Sequence, residues 1–234
     1  MEAYERFFDL YDKKLLCCDD ESLQSRILST LLFNLGNLHT VAGDQDLAVD
    51  FLTEALTSLK KIETEKGEYS KDICITLNEI GLAKFACRQY EEALRYFAEI
   101  LSLHQLHEDM HDTLSTAKVL NNVGCVYFAL KELKPGLEAF SESLEVSRSF
   151  LIEKFMGKVK DSMEEEPDSI KAALLSVAQT IGNIAHVKSS HGCRHEAKLL
   201  LKEALSILDK LSSSGSEEVK QIEEIISSLS IVEV

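Results

Sequence analysis

The chain of 234 residues has no tryptophan, only two prolines and no long uninterrupted run of apolar residues. A helix that crosses a membrane needs about 20 consecutive apolar residues, so we expect no membrane insertion. The first six residues, Met-Glu-Ala-Tyr-Glu-Arg, are polar and partly acidic, which is atypical of a secretory signal peptide. These absences favour a protein of the cytoplasm.

Positive charge is also scarce. The chain has 25 Lys and Arg residues against 40 Asp and Glu residues, which gives a formal net charge of −15. Nucleic acids are held mainly through basic contacts to phosphate, so we expect no nucleic-acid partner. A basic protein partner is compatible with this charge but is not demonstrated by it. The six cysteines are scattered along the chain, which indicates thiols in a reducing compartment.

Motifs that carry catalytic or metal chemistry are missing as well. The chain has no GxGxxG, GxxxxGK[ST], HExxH or GxSxG sequence. The nearest approach to a metal site is His191-x-Cys193-x-His195, which supplies three ligands where a structural zinc needs four. We therefore predict no metal, no cofactor and no enzymatic activity.

What the chain does contain is one local pattern that occurs four times. The copies are Leu32-x-x-Leu35-Gly36, Leu77-x-x-Ile80-Gly81, Leu120-x-x-Val123-Gly124 and Ala178-x-x-Ile181-Gly182. A small residue follows each pattern glycine after 12 positions in the first three copies and 15 in the fourth; these residues are Ala48, Ala93, Gly136 and Ala197. A pattern with a period of several tens of residues indicates stacked structural units.

Apolar residues recur at helical spacing through almost the whole chain, and no segment alternates as a strand would. Tyr4, Phe7, Phe8, Tyr11 and Leu15 form the first such stripe. The spacing predicts an all-α single domain over 1–234. Its predicted parts are an N-terminal helix at 1–18, helix pairs at 26–66, 70–107, 112–155 and 168–211, and a C-terminal capping helix at 216–231.

The third copy, Leu120-Asn-Asn-Val123-Gly124-Cys-Val-Tyr127 followed by Gly136 and Phe140, resembles a tetratricopeptide repeat. The second copy, Leu77-Asn-Glu-Ile80-Gly81 followed by Ala93 and Phe97, is similar to it, and the long helix pairs look like those of kinesin light chains. This resemblance implies a right-handed superhelical α-solenoid of about four helix pairs with flanking helices at both ends. It also implies a protein-interaction scaffold or adaptor that binds a peptide or protein segment in its concave groove.

The resemblance further implies which positions line that groove. They lie three residues before and one, four and five residues after each pattern glycine. The first set is Phe33, Asn78, Asn121 and Gln179; the second is Asn37, Leu82, Cys125 and Asn183; the third is Thr40, Phe85, Phe128 and His186; the fourth is Val41, Ala86, Ala129 and Val187. Amide side chains both donate and accept hydrogen bonds, which suits them to a peptide backbone. We therefore predict peptide binding by Asn37, Asn78, Phe85, Asn121, Phe128, Gln179 and Asn183.

Two alternatives remain open on the sequence alone. The asparagines could bond to one another between adjacent first helices, and the two phenylalanines could belong to the core. The chain could also serve as a structural subunit of a larger assembly that packs through its ends or its convex face. We expect a monomer or a component of a hetero-complex.

Overall fold

The computed structural model describes residues 21–62, 69–106, 113–158 and 167–211. Within these ranges every regular element is an α-helix, which confirms the all-α prediction. The eight helices are α1 (Glu21–Ala42), α2 (Gln45–Ile62), α3 (Ser70–Ala86), α4 (Tyr90–Leu106), α5 (Thr113–Ala129), α6 (Leu133–Lys158), α7 (Pro167–Ser190) and α8 (Arg194–Leu211). The helices predicted at 1–18 and 216–231 lie outside the described residues.

Chain contacts divide the molecule into two compact units, Met1–Leu103 and His104–Val234. In the first unit, α1 packs on α2, and α2 packs on α3. In the second unit, α5 pairs with α6 and α7 pairs with α8, while α7 also contacts both α5 and α6. Turns of two or three residues separate the members of each pair, as the repeat pattern predicts.

The observed helix ends follow the predicted pairs within a few residues, with two informative differences. Helix α1 begins at Glu21, five residues before the predicted start of its pair. Helix α6 has 26 residues and continues to Lys158, so it extends into the long gap between the third and fourth glycine patterns. Pro167 is the first residue of α7, where a missing backbone N–H costs no helical hydrogen bond.

Pattern glycines allow the two helices of a pair to approach closely. A Cβ atom placed on Gly81 would lie 2.6 Å from Cε1 of Phe97, and one on Gly124 would lie 2.6 Å from Cδ1 of Phe140. Both phenylalanines are fully buried. There is no room for a side chain between the first helix and the phenylalanine ring of the second helix. The glycine therefore allows the ring to pack directly on the backbone of the first helix.

All four turns inside the pairs have the same backbone geometry. One residue in each turn adopts a positive φ, which is 88° at Gly43, 61° at Arg88, 65° at Lys131 and 80° at Gly192. At each turn one N–H bonds to the carbonyl three residues back, and the next N–H bonds five residues back. This pair of bonds is the Schellman motif that ends a helix with a left-handed residue. The four positive-φ residues are therefore equivalent positions, and the four helix pairs can be aligned on them.

Lys131 occupies a backbone conformation that favours glycine, so Lys131→Gly should raise the free energy of unfolding. Relief of left-handed strain outweighs the extra chain entropy, and we expect a gain of about 1 kcal/mol. Gly192→Ala should lower the free energy of unfolding by a similar amount. Urea denaturation of both variants checks the prediction, with Lys131→Ala as the control that keeps the strain. Equal stability of the glycine and alanine variants at residue 131 would contradict it.

Candidate peptide-binding surface

The turn geometry realigns the fourth helix pair. Gly43, Arg88 and Lys131 each follow their pattern glycine by seven residues, and seven residues before Gly192 stands Ala185. Ala185 precedes Ala197 by 12 positions, which is the spacing of the first three pairs. The fourth pair therefore has the same interval of 12 residues as the others, because Ala185 rather than Gly182 takes the position of the pattern glycine.

The packing of Gly182 and Ala185 supports this alignment. A Cβ atom on Gly182 would meet nothing within 4 Å, so this glycine has no close-packing role. Ala185 is fully buried and belongs to the same core cluster as Leu201, which lies where Phe140 lies in the third pair. Leucine is smaller than phenylalanine. We attribute the tolerance of an alanine methyl group at residue 185 to this difference.

A second contact repeats at the realigned positions. Nζ of Lys84 lies 2.8 Å from Oε2 of Glu92, and Nζ of Lys188 lies 2.9 Å from Oε2 of Glu196. The hydrogen bond to the glutamate raises the pKa of each lysine above its ordinary value. Both lysines stand three residues after the small residue of the first helix only if Ala185 is counted as that residue.

The realignment corrects the position assigned to two predicted site residues. Gln179 lies six residues, rather than three, before the small residue of its helix, and Asn183 lies two residues before it rather than one after. Positions six before, three before and one after share one helix face, so Gln179 keeps its place on the predicted surface. Asn183 no longer occupies the position one after the small residue, but it lies four residues after Gln179, about 40° from it around α7, and so stays near the same face.

In the second unit, Asn183 links the first helices of two pairs. Its Nδ2 donates to Oδ1 of Asn121 at 3.0 Å and to Sγ of Cys125 at 3.5 Å. Asn121 is only 4% exposed. This hydrogen bond between α5 and α7 is the alternative that the sequence left open for the asparagines. Burial also raises the pKa of the Cys125 thiol to about 11, so the thiol stays protonated at neutral pH.

The other two predicted residues of the second unit are more accessible. The half-buried ring of Phe128 meets the ring of His186 edge to face, with 5.2 Å between their centroids. His186 and Gln179 are exposed on α7. Phe128, His186 and Gln179 are therefore accessible to a partner, whereas the side chain of Asn121 has little accessible surface.

In the first unit, the predicted residues Asn37, Asn78 and Phe85 are all half-buried. Nδ2 of Asn78 donates to Oε1 of Glu79 at 3.1 Å. The ring of Phe85 packs against Tyr90 across the α3–α4 turn, with 5.6 Å between centroids and a tilt of 49°. These three side chains retain accessible surface, and their role in peptide binding stays a prediction.

A pocket of about 220 Å³ lies between α1 and α3 of the first unit, with the end of α2 behind it. Its lining residues are Arg26, Ser29, Thr30, Phe33, Leu59, Asp72, Ile75 and Thr76. Phe33 is a predicted groove position, three residues before Gly36. Thr30 and Ile75 lie six residues before their pattern glycines and share that helix face.

The pocket has an apolar interior and a charged rim. Leu59, Ser29 and Thr76 are buried, while Arg26, Asp72 and Ile75 are exposed. The hydroxyls of Ser29 and Thr76 donate to carbonyls of their own helices, at 2.9 Å and 2.8 Å. Because those donors are already satisfied, the pocket suits an apolar side chain better than a polar one.

Sequence reasoning missed Thr30 and Ile75 because it counted groove positions only from three residues before the glycine onward. One more helical turn toward the N-terminus would have included both of them. No offset from a pattern glycine could have predicted Leu59, because it lies on α2, the second helix of the first pair. Helix packing brings Leu59 to the pocket.

Metal and membrane sites are not evident in the described ranges. No group of three or more histidine, cysteine and acidic side chains there is arranged to hold a metal ion. His191, Cys193 and His195 are exposed, and Nδ1 of His191 lies 2.9 Å from the carbonyl oxygen of Val187. No described helix combines the length and apolarity required to cross a membrane.

Comparison with protein families gives one match, to the model of the tetratricopeptide repeat over residues 72–149. The match spans about a third of the chain, and over these residues the chain is similar to tetratricopeptide repeats. The match covers most of α3, all of α4 and α5 and the first 17 of the 26 residues of α6, where the sequence pattern is also strongest. The repeat predicted from the Leu-Gly and Ala-Phe spacing is thus confirmed. No curated protein sequence matches the chain.

Solved structures of repeat proteins share the fold over most of the chain. BtubC (BKLC) from P. vanneervenii has 17% identity and a TM-score of 0.62, covering 89% of this chain and 74% of its own. The apo form of RapI has 16% identity and a TM-score of 0.63, covering 93% and 72%. Kinesin light chain-like repeats of Podosopora anserina have 16% identity and a TM-score of 0.55, covering 91% and 88%. These similarities show the tetratricopeptide-repeat fold.

Proposed function

We propose that this protein is an interaction scaffold that binds an extended segment of a partner protein along α1 and α3 of the first unit. The pocket between Thr30, Phe33 and Ile75 is the observation that carries the proposal. Tetratricopeptide repeats typically serve as non-enzymatic scaffolds, which supports binding as the activity rather than catalysis.

The size and chemistry of the pocket favour one apolar side chain of the partner. Pockets for drug-sized ligands have volumes of about 300–1,000 Å³, and this one, at about 220 Å³, is smaller. Arg26 and Asp72 at the rim can each pair with an opposite charge beside the apolar residue. The half-buried amides of Asn37 and Asn78 are proposed contacts for the partner backbone.

In the second unit, the proposed contacts are Phe128 and Gln179, with His186 beside them. Asn121 and Asn183 contribute indirectly in this proposal, because their mutual hydrogen bond holds α5 and α7 in place. The cytoplasm is the proposed location. Cys87, Cys125 and Cys193 are thiols rather than disulfides, which suits a reducing compartment.

Peptides selected from a random displayed library against the whole chain provide the test. Ile75→Glu places a charge at the mouth of the pocket, and we expect it to weaken binding of the selected peptides at least about tenfold. Burial of an apolar side chain contributes roughly 1.5–3 kcal/mol, and 1.4 kcal/mol corresponds to a factor of ten in affinity. Fluorescence polarisation of labelled peptides measures the change.

Ile152→Glu is the matched control. Ile152 is 63% exposed on α6 of the second unit, so the same substitution there should leave peptide binding unchanged. Asn78→Ala, alone and with Asn37→Ala, then tests the amide contacts. If Ile75→Glu keeps its helical content and binds every selected peptide as tightly as the parent chain, the pocket is not the binding site.

A further inference from the structure

The rim of the pocket between α1 and α3 carries two charges of opposite sign, Arg26 on α1 and Asp72 on α3. Both side chains are exposed, and neither forms an ion pair with any residue of the described ranges. Two opposite charges thus face one pocket without neutralising each other. Both remain available to a ligand that enters the pocket.

The hydroxyl groups around the pocket are already used within their own helices. Those of Ser29 and Thr30 both donate to the carbonyl oxygen of Arg26, at 2.9 Å each. That of Thr76 donates to the carbonyl oxygen of Asp72 at 2.8 Å. Among the lining residues, the guanidinium of Arg26 and the carboxylate of Asp72 are therefore the groups that can recognise charge in a ligand.

The two charges lie at nearly the same level on opposite sides of the pocket. Arg26 stands ten residues before Gly36, and Asp72 stands nine residues before Gly81. Helices α1 and α3 occupy the same position in successive repeats, so they run in the same direction. Ile75 lines the pocket about one helical turn further along α3. The entrance is therefore flanked by a positive charge over α1 and a negative charge over α3.

We propose that the partner segment carries two charges of opposite sign, one on each side of the apolar residue that fills the pocket. This inference rests on the proposed binding at the pocket and specifies the partner that the pocket accepts. An acidic side chain of the segment pairs with Arg26 over α1, and a basic side chain pairs with Asp72 over α3.

The separation of the two helices sets the spacing of these three residues in the segment. Packed helices lie about 8–10 Å apart, and an extended chain advances about 13 Å over four residues. Side chains two residues apart point to the same side of an extended chain. The charges therefore belong two residues before and two residues after the apolar residue, in the order that the direction of the segment across the pocket dictates.

Exchanging the two rim charges tests the inference without changing the net charge of the chain. Peptides selected from a random displayed library against the parent chain are measured by fluorescence polarisation against the double variant Arg26→Asp with Asp72→Arg. We expect binding about tenfold weaker, because two exposed ion pairs are replaced by two like-charge contacts. A synthetic peptide whose acidic and basic residues trade places should prefer the double variant by a similar factor. Raising the salt from about 0.1 M to 1 M should remove most of both preferences.

Asp50→Arg with Arg95→Asp is the matched control. Both residues are exposed, on α2 and α4 of the first unit, and lie outside the pocket lining, so this exchange should leave peptide binding unchanged. Circular dichroism confirms that each variant stays helical.

The possible failures separate this inference from the proposed binding site. Peptides that are sensitive to Ile75→Glu but carry no opposite charges, or that bind the exchanged chain as tightly as the parent, would overturn the inference and leave the pocket as the site. An equal loss in the control exchange would also overturn it, since the effect would then not belong to the rim. Peptides insensitive to Ile75→Glu would remove both the pocket and its charge pattern.

Discussion

Phe140→Ala is expected to lower the free energy of unfolding of the second unit by about 3–5 kcal/mol. The ring is 1% exposed and fills the space that Gly124 leaves open on α5. Removing it forfeits the transfer free energy of an aromatic side chain and leaves a cavity between two helices that are close-packed elsewhere. Urea denaturation followed by circular dichroism measures the loss.

Phe150→Ala is the control for this substitution, because Phe150 is only partly buried beside the core of the second unit. Its smaller buried surface predicts a clearly smaller loss of stability. Similar losses for the two variants would mean that Phe140 has no special place between α5 and α6. The packing argument built on the pattern glycines would then be wrong.

Gly124→Ala has the second largest expected effect, a loss of about 1–3 kcal/mol. The added methyl group would lie 2.6 Å from two ring atoms of Phe140 and 2.9 Å from Cγ, and the buried ring must shift to admit it. Alanine is the better helix former by about 1 kcal/mol, which reduces the loss but does not reverse it. Thermal or urea denaturation checks the sign and size.

Gly182→Ala separates packing from helix propensity. A Cβ atom there meets nothing within 4 Å, so we expect no loss and a gain of up to about 1 kcal/mol. The two substitutions are chemically identical and both lie in a first helix. Equal destabilisation at both positions would contradict the realignment of the fourth pair.

Phe140→Leu in the Gly124→Ala background tests the same realignment from the other side. The double variant reproduces in the third pair the combination of Ala185 and Leu201 found in the fourth. We expect the double variant to lose less stability than the sum of the two single losses, by about 1 kcal/mol or more, because the residues contact each other. Additive losses would show that leucine does not make room for the methyl group.

The helices and the close approach within a pair could be predicted from the sequence because both depend on short-range spacing. Leu77, Ile80 and Gly81 lie on adjoining turns of one helix, and a fixed interval leads from the glycine to Phe97. The structure places Gly81 against Phe97 as that interval predicts. The fourth pair was misaligned because Gly182 happens to complete a similar pattern one turn too early.

The candidate site was less predictable because its contacts join distant parts of the chain. Asn121 and Asn183 are 62 residues apart, and nothing in either local sequence distinguishes an asparagine that bonds to another from one that faces a ligand. Leu59 lines the pocket from α2, the second helix of the first pair, whereas Ile75 lines it from α3 of the second pair. Such meetings depend on the depth and angle at which helices pack, which the spacing along one helix does not report.

The sequence by itself therefore determined the helical class, the likeness to a tetratricopeptide repeat and the glycine–aromatic contacts of the second and third pairs. These follow from the period of 3.6 residues per turn and from offsets within about 16 residues. Only the tertiary structure decided that Ala185 takes the position of the pattern glycine and that Asn183 donates a hydrogen bond to Asn121. It also decided that Thr30, Phe33 and Ile75 line one pocket. Those features depend on which side chains face one another across neighbouring helices, and only the packed fold specifies that.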